Sequence, residues 1–560
     1  MKDLRVHAVT FNVADSGPPK DDFSDLLGLN DKNHPDVIFI GLQEAAGDNW
    51  MDKFKDTLRP ADYVLIKNRE CWEIHIYAFV KRNLLVALTN IESEVTALGA
   101  LGIMGNKGGV SIRFELCGVN IIGVCAHLSA HQNKVNERIR DYTEIISDQT
   151  FRDTDVNKIL DHDYVIWMGD LNFRIDMEKE QAEALIKKKD YTALLLKDQL
   201  TIAKRENFIF ENFQEGEIKF DPTYKFNNFT DIYDTSEKKR VPSWTDRILY
   251  MAHDSFIYND QSLADGSGHR VAHQQSNKST RGPPKNVKSN DSSLDKPSVT
   301  LLKYDSMTKY KHSDHRPVYA QLLLKIPDLW YSLPIKFLQP TNKTHKADQD
   351  LVFQYTLMKR PALVSALSAG TILKPAIKAD VFALDQLDLD LSNKKDDNFE
   401  IIDIKDNFIG SSSSAGKKKE NESDPLPPPS MKAANLDWIG IYPVDFDDLR
   451  NGYLAYVYAP SGQADSTLDA SMKRMKITNE TDHVVLDHGK TNGIIYKGHI
   501  DEKFLDEHIG RTVQLVYFSK RKNCPQGYSQ PFTIVKEDPC PIFGIPDLFM
   551  AFSSINQSKQ

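Results

Sequence analysis

The sequence predicts an α/β sandwich followed by a small β-sandwich. Short apolar-rich runs recur from Leu4 to Ile326, few stretches in that span have helical periodicity, and beyond a low-complexity break only strand-like runs return. At 560 residues the chain also exceeds what one hydrophobic core supports, so two or more domains are expected.

The elements follow in order. Residues 4–13, 36–44, 74–82, 108–128, 163–173, 243–251, 298–305 and 316–326 read as strands; within 108–128 the pair Cys117-Gly118 marks a hairpin turn and hence antiparallel pairing. Residues 133–151 and 177–198 carry helical patterns. Residues 262–298, rich in Ser, Asn, Gly, Pro and Lys, read as a disordered insertion in a unit spanning 1–326. Residues 327–435 read as an irregular, then acidic, then Ser- and Pro-rich linker. Strand-like runs at 436–446, 452–460, 482–487, 493–500, 511–519 and 530–536 then give a β-sandwich over 436–536, followed by a tail, 537–560.

A net charge of -9 argues against nucleic acid as the main partner, because phosphate neutralisation needs concentrated Lys and Arg. Five scattered cysteines without C-x-x-C spacing fit reduced thiols and suggest no structural zinc. The first residues lack a signal-peptide plan, no run approaches the roughly 18 apolar residues of a membrane span, and "SSINQSKQ" holds no prenylation box, so an intracellular soluble protein is expected.

Several polar groups stand where an apolar strand ends: Asn12 after "VTF", Glu44 after "IFIGLQ", His127 after "IIGVCA", Asp170 and Asn172 after "VIWMG", Asp246 before "RILY", and Asp314-His315 before "RPVYAQLLL". If these strands share two packed sheets, their ends converge on one pocket. Strand alternation then predicts that Asp170 and Asn172 project from one face. Carboxylates as close as Glu44, Asp170, Asp246 and Asp314 repel one another unless a cation intervenes. Oxygen and amide donors without cysteine favour a hard ion, Mg²⁺, and metal-assisted phosphate ester hydrolysis.

"FNVA", "LQE", "MGNKGGV", "CAHLSAH", "WMGDLNFR", "RVPSWTDRILY" and "SDHRPV" together resemble the signature segments of the inositol polyphosphate 5-phosphatases. The resemblance covers Leu4 to about Ile326 apart from the insertion and implies the DNase I-like α/β/β/α fold. It implies that Glu44, helped by Asn12, holds Mg²⁺ at the scissile phosphate, with Asp314 fixing local geometry or metal water. Asp170 would orient or deprotonate the attacking water, with Asn172 hydrogen-bonding the phosphate. His315, oriented by Asp246, and His127 would donate to phosphoryl oxygens, and no phospho-enzyme would form.

Tyr224, Lys225, Lys238 and Arg240 match positions that in the family contact the 4-phosphate, and Asn106, Lys107 and Arg247 are further substrate contacts implied by the same motifs. Leu98, Leu101, Ile103 and Met104 lie in the loop that in the family borders the site and can meet a bilayer. This chain has Ile103-Met104 where other members place an Arg, which bears on the 1-phosphate. The C-terminal part resembles the SKICH domain, and catalytic domain first with SKICH last is the order of the skeletal muscle and kidney enriched inositol phosphatase type. The expected substrate is therefore a phosphoinositide headgroup, phosphatidylinositol 4,5-bisphosphate foremost, then the 3,4,5-trisphosphate; soluble inositol 1,4,5-trisphosphate hydrolysis and an adaptor role are the alternatives. The expected partners are a membrane surface and a protein bound by the SKICH domain, with no nucleic acid. The expected state is a cytoplasmic monomer recruited to the endoplasmic reticulum or plasma membrane.

Overall fold

The computed structural model describes residues 2–20, 22–45, 49–98, 106–153, 156–254, 296–326, 335–357, 437–459, 495–520 and 523–536. The first sheet contains β1 (Lys2–Asn12), β2 (Val37–Gln43), β3 (Tyr63–Cys71) and β4 (Ile74–Lys81). The second contains β5 (Leu88–Ala97), β6 (Gly108–Leu116), β7 (Val119–His127), β8 (Tyr164–Asp170), β9 (Gln214–Glu215) and β10 (Asp246–Ala252). With β11 (Val299–Ser306) and β12 (Val318–Ile326), the first sheet runs β11-β12-β1-β2-β4-β3; the second runs β5-β6-β7-β8-β10-β9. Each sheet holds one parallel pair, β1 with β2 and β7 with β8. The β6–β7 turn falls at Cys117-Gly118, both at positive φ.

Alternation along these strands sorts their side chains into layers. Val6, Phe39, Ile76, Ile112, Ile121, Ile166, Ile248 and Leu322 form the core between the sheets. The opposite face of the first sheet offers Phe11, Ile40 and Phe79 to Trp50, Phe54 and Leu58 of α1 (Asn49–Leu58). The opposite face of the second offers Val124, Trp167 and Leu249 to Tyr142 and Ile145 of α2 (Val135–Asp148), and the same cluster takes Leu200 and Ala203 of α5 (Gln199–Arg205). The 177–198 pattern resolves into α3 (Lys179–Lys187) and α4 (Tyr191–Leu195). The result is helix, sheet, sheet, helix.

The segment read as irregular linker needs correction at its start. It contains β13 (Ile335–Gln339), β14 (Thr344–Lys346) and β15 (Leu351–Leu357); β13 pairs with β15, and β14 and β15 pair with strands from the end of the chain. Those are β16 (Trp438–Pro443), β17 (Ala455–Tyr458), β18 (Ile495–Ile500), β19 (Thr512–Ser519), β20 (Cys524–Tyr528) and β21 (Phe532–Val535). One sheet is β13-β15-β18; the other is β14-β21-β19-β16-β17 with β20 on β19. They enclose Phe353, Tyr355, Ile439, Ile441, Leu515 and Ile534. "IKFLQ" and "LVFQYTL" sit among Pro, Asn and Lys, and the sheet they share is completed by β18, more than a hundred residues on, so local pattern alone did not mark them as strands. The 482–487 run, the tail, and residues 262–295 of the insertion lie outside the described residues.

The C-terminal unit is seated on the first sheet's free edge. Leu65 of β3 donates to Asp447 O (2.8 Å), and its carbonyl accepts from Leu449 N (2.9 Å). Asp448 pairs with Lys55 at 3.1 Å, and Arg82 donates to Phe446 O at 2.8 Å while lying over that ring. The intersheet core continues without a break into Phe446, Leu449, Val516 and Phe518.

Candidate active site

The carboxyl ends of β1, β2, β7 and β8 and the amino ends of β10 and β12 meet at one place. Register does this: Asp170 stands opposite His127 on one side and Asp246 on the other. Gly169 lets β8 close on β7, since a Cβ there would meet Ala126 O at 1.9 Å.

Asp170 is buried; its Oδ2 accepts from Asn12 Nδ2 at 3.0 Å and its Oδ1 from Asn172 N at 3.0 Å. His127 Nε2 lies 3.4 Å and His315 Nε2 3.9 Å from Oδ2. Burial alone would raise this carboxyl, but the His127 hydrogen bond and the charges of His315, His127 and Arg174 hold it far below the ordinary range. His315 Nδ1 meets Asp246 at 2.9 Å, and Thr223 and Thr245 hydroxyls donate to the same carboxylate. Burial disfavours the imidazolium, yet Asp246, Asp170 and Asp314 outweigh it and raise His315 to about 10. It is a cation with Nε2 turned to the cleft.

His127 Nε2 lies 2.6 Å from Lys107 Nζ, so that nitrogen accepts from the ammonium or donates to a carboxylate, not both at once. Burial lowers the Lys107 pKa against the pull of Asp170 and Glu44. Glu44, at φ +52 just past β2, turns a side chain 31% exposed towards His127 Nε2 at 3.8 Å. Asp314 Oδ2 takes the Lys225 ammonium, and its Oδ1 lies 3.8 Å from His315.

Three expectations change at this point. Asn172 does not continue the strand: β8 ends at Asp170, Asn172 sits at φ +58, and its side chain donates to Leu128 O and accepts from Arg174. It braces the Asp170 turn from below instead of projecting beside it. Asn12 has its amide oxygen on Ala14 N (3.0 Å) and its nitrogen on Asp170, an orientation fixed because the reverse would set oxygen against carboxylate. Arg247, 1% exposed, points away from the site because it neighbours Asp246 in a strand; Glu215 (2.7 and 2.8 Å) and Asp198 (3.0 Å) hold it.

Of the loop residues, Leu98 is 3% exposed and packs in the core behind the second sheet, so it does not face a bilayer; Leu101, Ile103 and Met104 lie outside the described residues. Asn106 and Lys238 are exposed, and Arg240 pairs with Asp234 at 3.3 Å. Tyr224 is buried, its ring centroid 4.4 Å from that of His315 and 4.3 Å from the Arg174 guanidinium. Arg174 was not anticipated, although "WMGDLNFR" contains it. Its backbone N donates to Gln199, which also accepts from buried Arg138, so a chain of polar contacts supports the turn from α2 and α5.

A cleft floored by a depressed carboxylate and walled by an imidazolium suits transfer of an anionic group to water. Residues 9–321 match the Endonuclease/Exonuclease/phosphatase family 2, which defines the class of this fold and site. Mouse inositol polyphosphate 5-phosphatase K is 35% identical over 367 residues, 63% of this chain and 72% of that protein. Human phosphatidylinositol 4,5-bisphosphate 5-phosphatase A is 35% identical over 338 residues (58% and 31%), and mouse type II inositol 1,4,5-trisphosphate 5-phosphatase 36% over 235 (39% and 24%). The chain thus spans less than a third of the length of the latter two. It belongs to the inositol polyphosphate 5-phosphatases and is a phosphoric monoester hydrolase.

Proposed function

We propose that the chain hydrolyses the 5-phosphate of membrane phosphoinositides, phosphatidylinositol 4,5-bisphosphate foremost and the 3,4,5-trisphosphate next, with Mg²⁺ as cofactor and water as nucleophile. The carrying observation is the meeting of Asp170, His127, Lys107 and the His315–Asp246 pair in one cleft. A divalent ion fits the donors. Glu44 and Asp170 both converge on His127 Nε2, and Glu44 keeps a half-open carboxylate. Asp170, Asp246 and His315 have potential ligand atoms within 4.8 Å of one another. Within that group the Asp246 carboxylate is already filled by His315 Nδ1 and two threonine hydroxyls, which favours the more open Glu44 and Asp314 for the ion. Glu44 and Asp314 would hold Mg²⁺, with Asn12 bracing Asp170. Bound there, the ion supplies positive charge to the scissile phosphoryl group and the leaving alkoxide.

The chain's own residues do the rest. Asp170, ionised and therefore a weak base, orients the attacking water. His315 donates from Nε2 to a phosphoryl oxygen, held in place by Asp246 and the Tyr224 ring. His127 and Lys107 offer further donors, with Asn106 at the rim. Lys225, Lys238 and Arg240 supply charge to the 4-phosphate, Lys225 by leaving Asp314. The C-terminal unit acts as a SKICH domain that binds a protein partner and directs a monomeric enzyme to the endoplasmic reticulum or plasma membrane; the support is its resemblance and its position after the catalytic unit.

The test is phosphate release with Mg²⁺ from vesicles of phosphatidylinositol 4,5-bisphosphate and from soluble inositol 1,4,5-trisphosphate, with and without EDTA, for wild type and Asp170→Asn. Faster release from vesicles, abolished by EDTA and lowered about 10³-fold by the substitution, is the expected result. Preference for the soluble compound would reassign the substrate. Silence on both from a folded protein would favour an adaptor.

A further inference from the structure

The polar chain behind Asp170 converges on a single amide. Gln199, the first residue of α5, is buried and uses its whole side chain. Its Oε1 accepts from Arg174 N (3.0 Å) and from Arg138 Nη2 (2.6 Å), while its Nε2 donates to Gln132 O (2.9 Å) and to Asp176 Oδ1 (2.7 Å). These partners fix the amide's orientation, since the reverse would set oxygen against the Asp176 carboxylate. The Gln199 backbone N–H adds a bond to Arg174 O at 2.9 Å. The helix start is itself held: Asp198 accepts from Thr201 N and from Arg247 of β10.

The groups that meet at Gln199 come from the two turns that leave the site. Residues 128–132 follow His127 at the end of β7, and residues 171–176 follow Asp170 at the end of β8. Beside the site the turns are joined through Leu128, whose N–H donates to Asp170 O (3.1 Å) and whose carbonyl accepts from Asn172 Nδ2 (3.0 Å). Further out, Gln132 Nε2 donates to Ile175 O and to Asp176 Oδ1. Arg138 of α2, fully buried, reaches in from the side: its Nη1 donates to Ser129 O (3.0 Å) and His131 O (2.8 Å), and the guanidinium lies 4.9 Å from the centroid of the Phe173 ring. Its hydrogen bonds all go to uncharged oxygens, so it works as a clasp and not as half of an ion pair. Each turn carries a left-handed residue, His131 at φ +79 and Asn172 at φ +58. Such conformations persist where the surroundings enforce them.

We propose that Gln199 and Arg138 are positioning residues that lock the 128–132 and 171–176 turns to each other and thereby set Asp170 against His127. Neither touches the reacting atoms. Their effect runs through the placement of Asp170, and a small misplacement of a group that orients a nucleophile costs rate far more than affinity. The inference rests on the hydrolytic reading above, in which Asp170 orients the attacking water, and adds the parts that hold it.

The test uses the full chain with Gln199→Glu, with Asp176→Asn, with both together, and with Arg138→Lys. Gln199→Glu keeps an acceptor for Arg138 and Arg174 but turns a second oxygen on Gln132 O and Asp176; Asp176→Asn then offers that oxygen an N–H. Phosphate release from soluble inositol 1,4,5-trisphosphate with Mg²⁺ is measured below each variant's thermal midpoint, beside amide hydrogen exchange of residues 128–134 and 171–176. Gln199→Glu and Arg138→Lys should each lower kcat about tenfold or more with KM within about twofold, and exchange should quicken in both turns together. Adding Asp176→Asn to Gln199→Glu should recover kcat at least about threefold. In an Asp170→Asn background Gln199→Glu should cost less than about twofold more, because both changes act through one group. An unchanged kcat per folded molecule, a rise in KM alone, or the full loss repeated in the Asp170→Asn background overturns the proposal. So does exchange that quickens in one turn only. A wild type that releases no phosphate, with the two turns still coupled in exchange through Gln199, would defeat the hydrolytic reading and leave the lock standing.

Discussion

Asp246 and Arg247 are neighbours in sequence and opposites in role. One faces the site and the other is locked behind it, which pattern recognition of "TDR" alone did not separate. Asp246→Asn removes the group that holds the proton on His315. The donor, present up to about pH 10 in the native chain, should then be lost nearer its ordinary value of 6.5. In a pH profile of kcat/KM the alkaline limb should move down towards neutrality, with kcat lower by about 10²-fold or more. The same shift has a sign for stability: the pair's contribution is full below pH 6.5 and fades as pH rises to about 10. Arg174→Lys should lower kcat about ten- to a hundredfold with little change in thermal midpoint. Lysine cannot reach Asn172 with a fork while lying flat on Tyr224. The strand-terminal acids and histidines were legible because each interrupts an apolar run. The turns of Glu44 and Asn172 were not, since a left-handed residue after a strand leaves no periodic trace.

Each strand that bears the site does so at, or just beyond, one of its ends and uses its length for packing. Arg247→Met tests that division. It would leave Glu215 and Asp198 as buried carboxylates without their cation, so stability should fall by about 3–5 kcal/mol while KM for soluble substrate stays unchanged in the folded fraction. A rise in KM without loss of stability would restore Arg247 to the substrate. Asp448→Ala belongs to the same scale. It strands Lys55 and the backbone N–H groups of Arg450 and Asn451, and should lower the denaturation free energy by about 2–4 kcal/mol. β3 and β5 were missed because "YVLIKNREC" and "LTNIESEVTA" turn polar partway. They are edge strands of their sheets, where one side can be wet. Strands at the centre were read correctly from their unbroken apolar runs.

At the scale of the molecule, the low-complexity stretch is not a tether between two domains. β14 and β15 precede it and pair with β21 and β18 after it, so the chain leaves the C-terminal unit after Leu357 and is back in the same unit at Asp437. A protease site engineered near residue 415 should therefore give two fragments that migrate together in gel filtration and melt as one. Separation into independent species would show that the docked edge and paired strands do not hold. The two-sheet layout of residues 1–326 was readable from strand count and helix position. The early start of the second unit was not, because its pairing partners are remote.

That arrangement has a consequence for synthesis. The first sheet is complete when Ile326 has been made, but the residues that cover β3, Phe446 to Leu449, emerge more than a hundred residues later. At about 5–20 residues per second, the nascent chain carries an open strand edge on the order of ten seconds before its own C-terminal part arrives to close it.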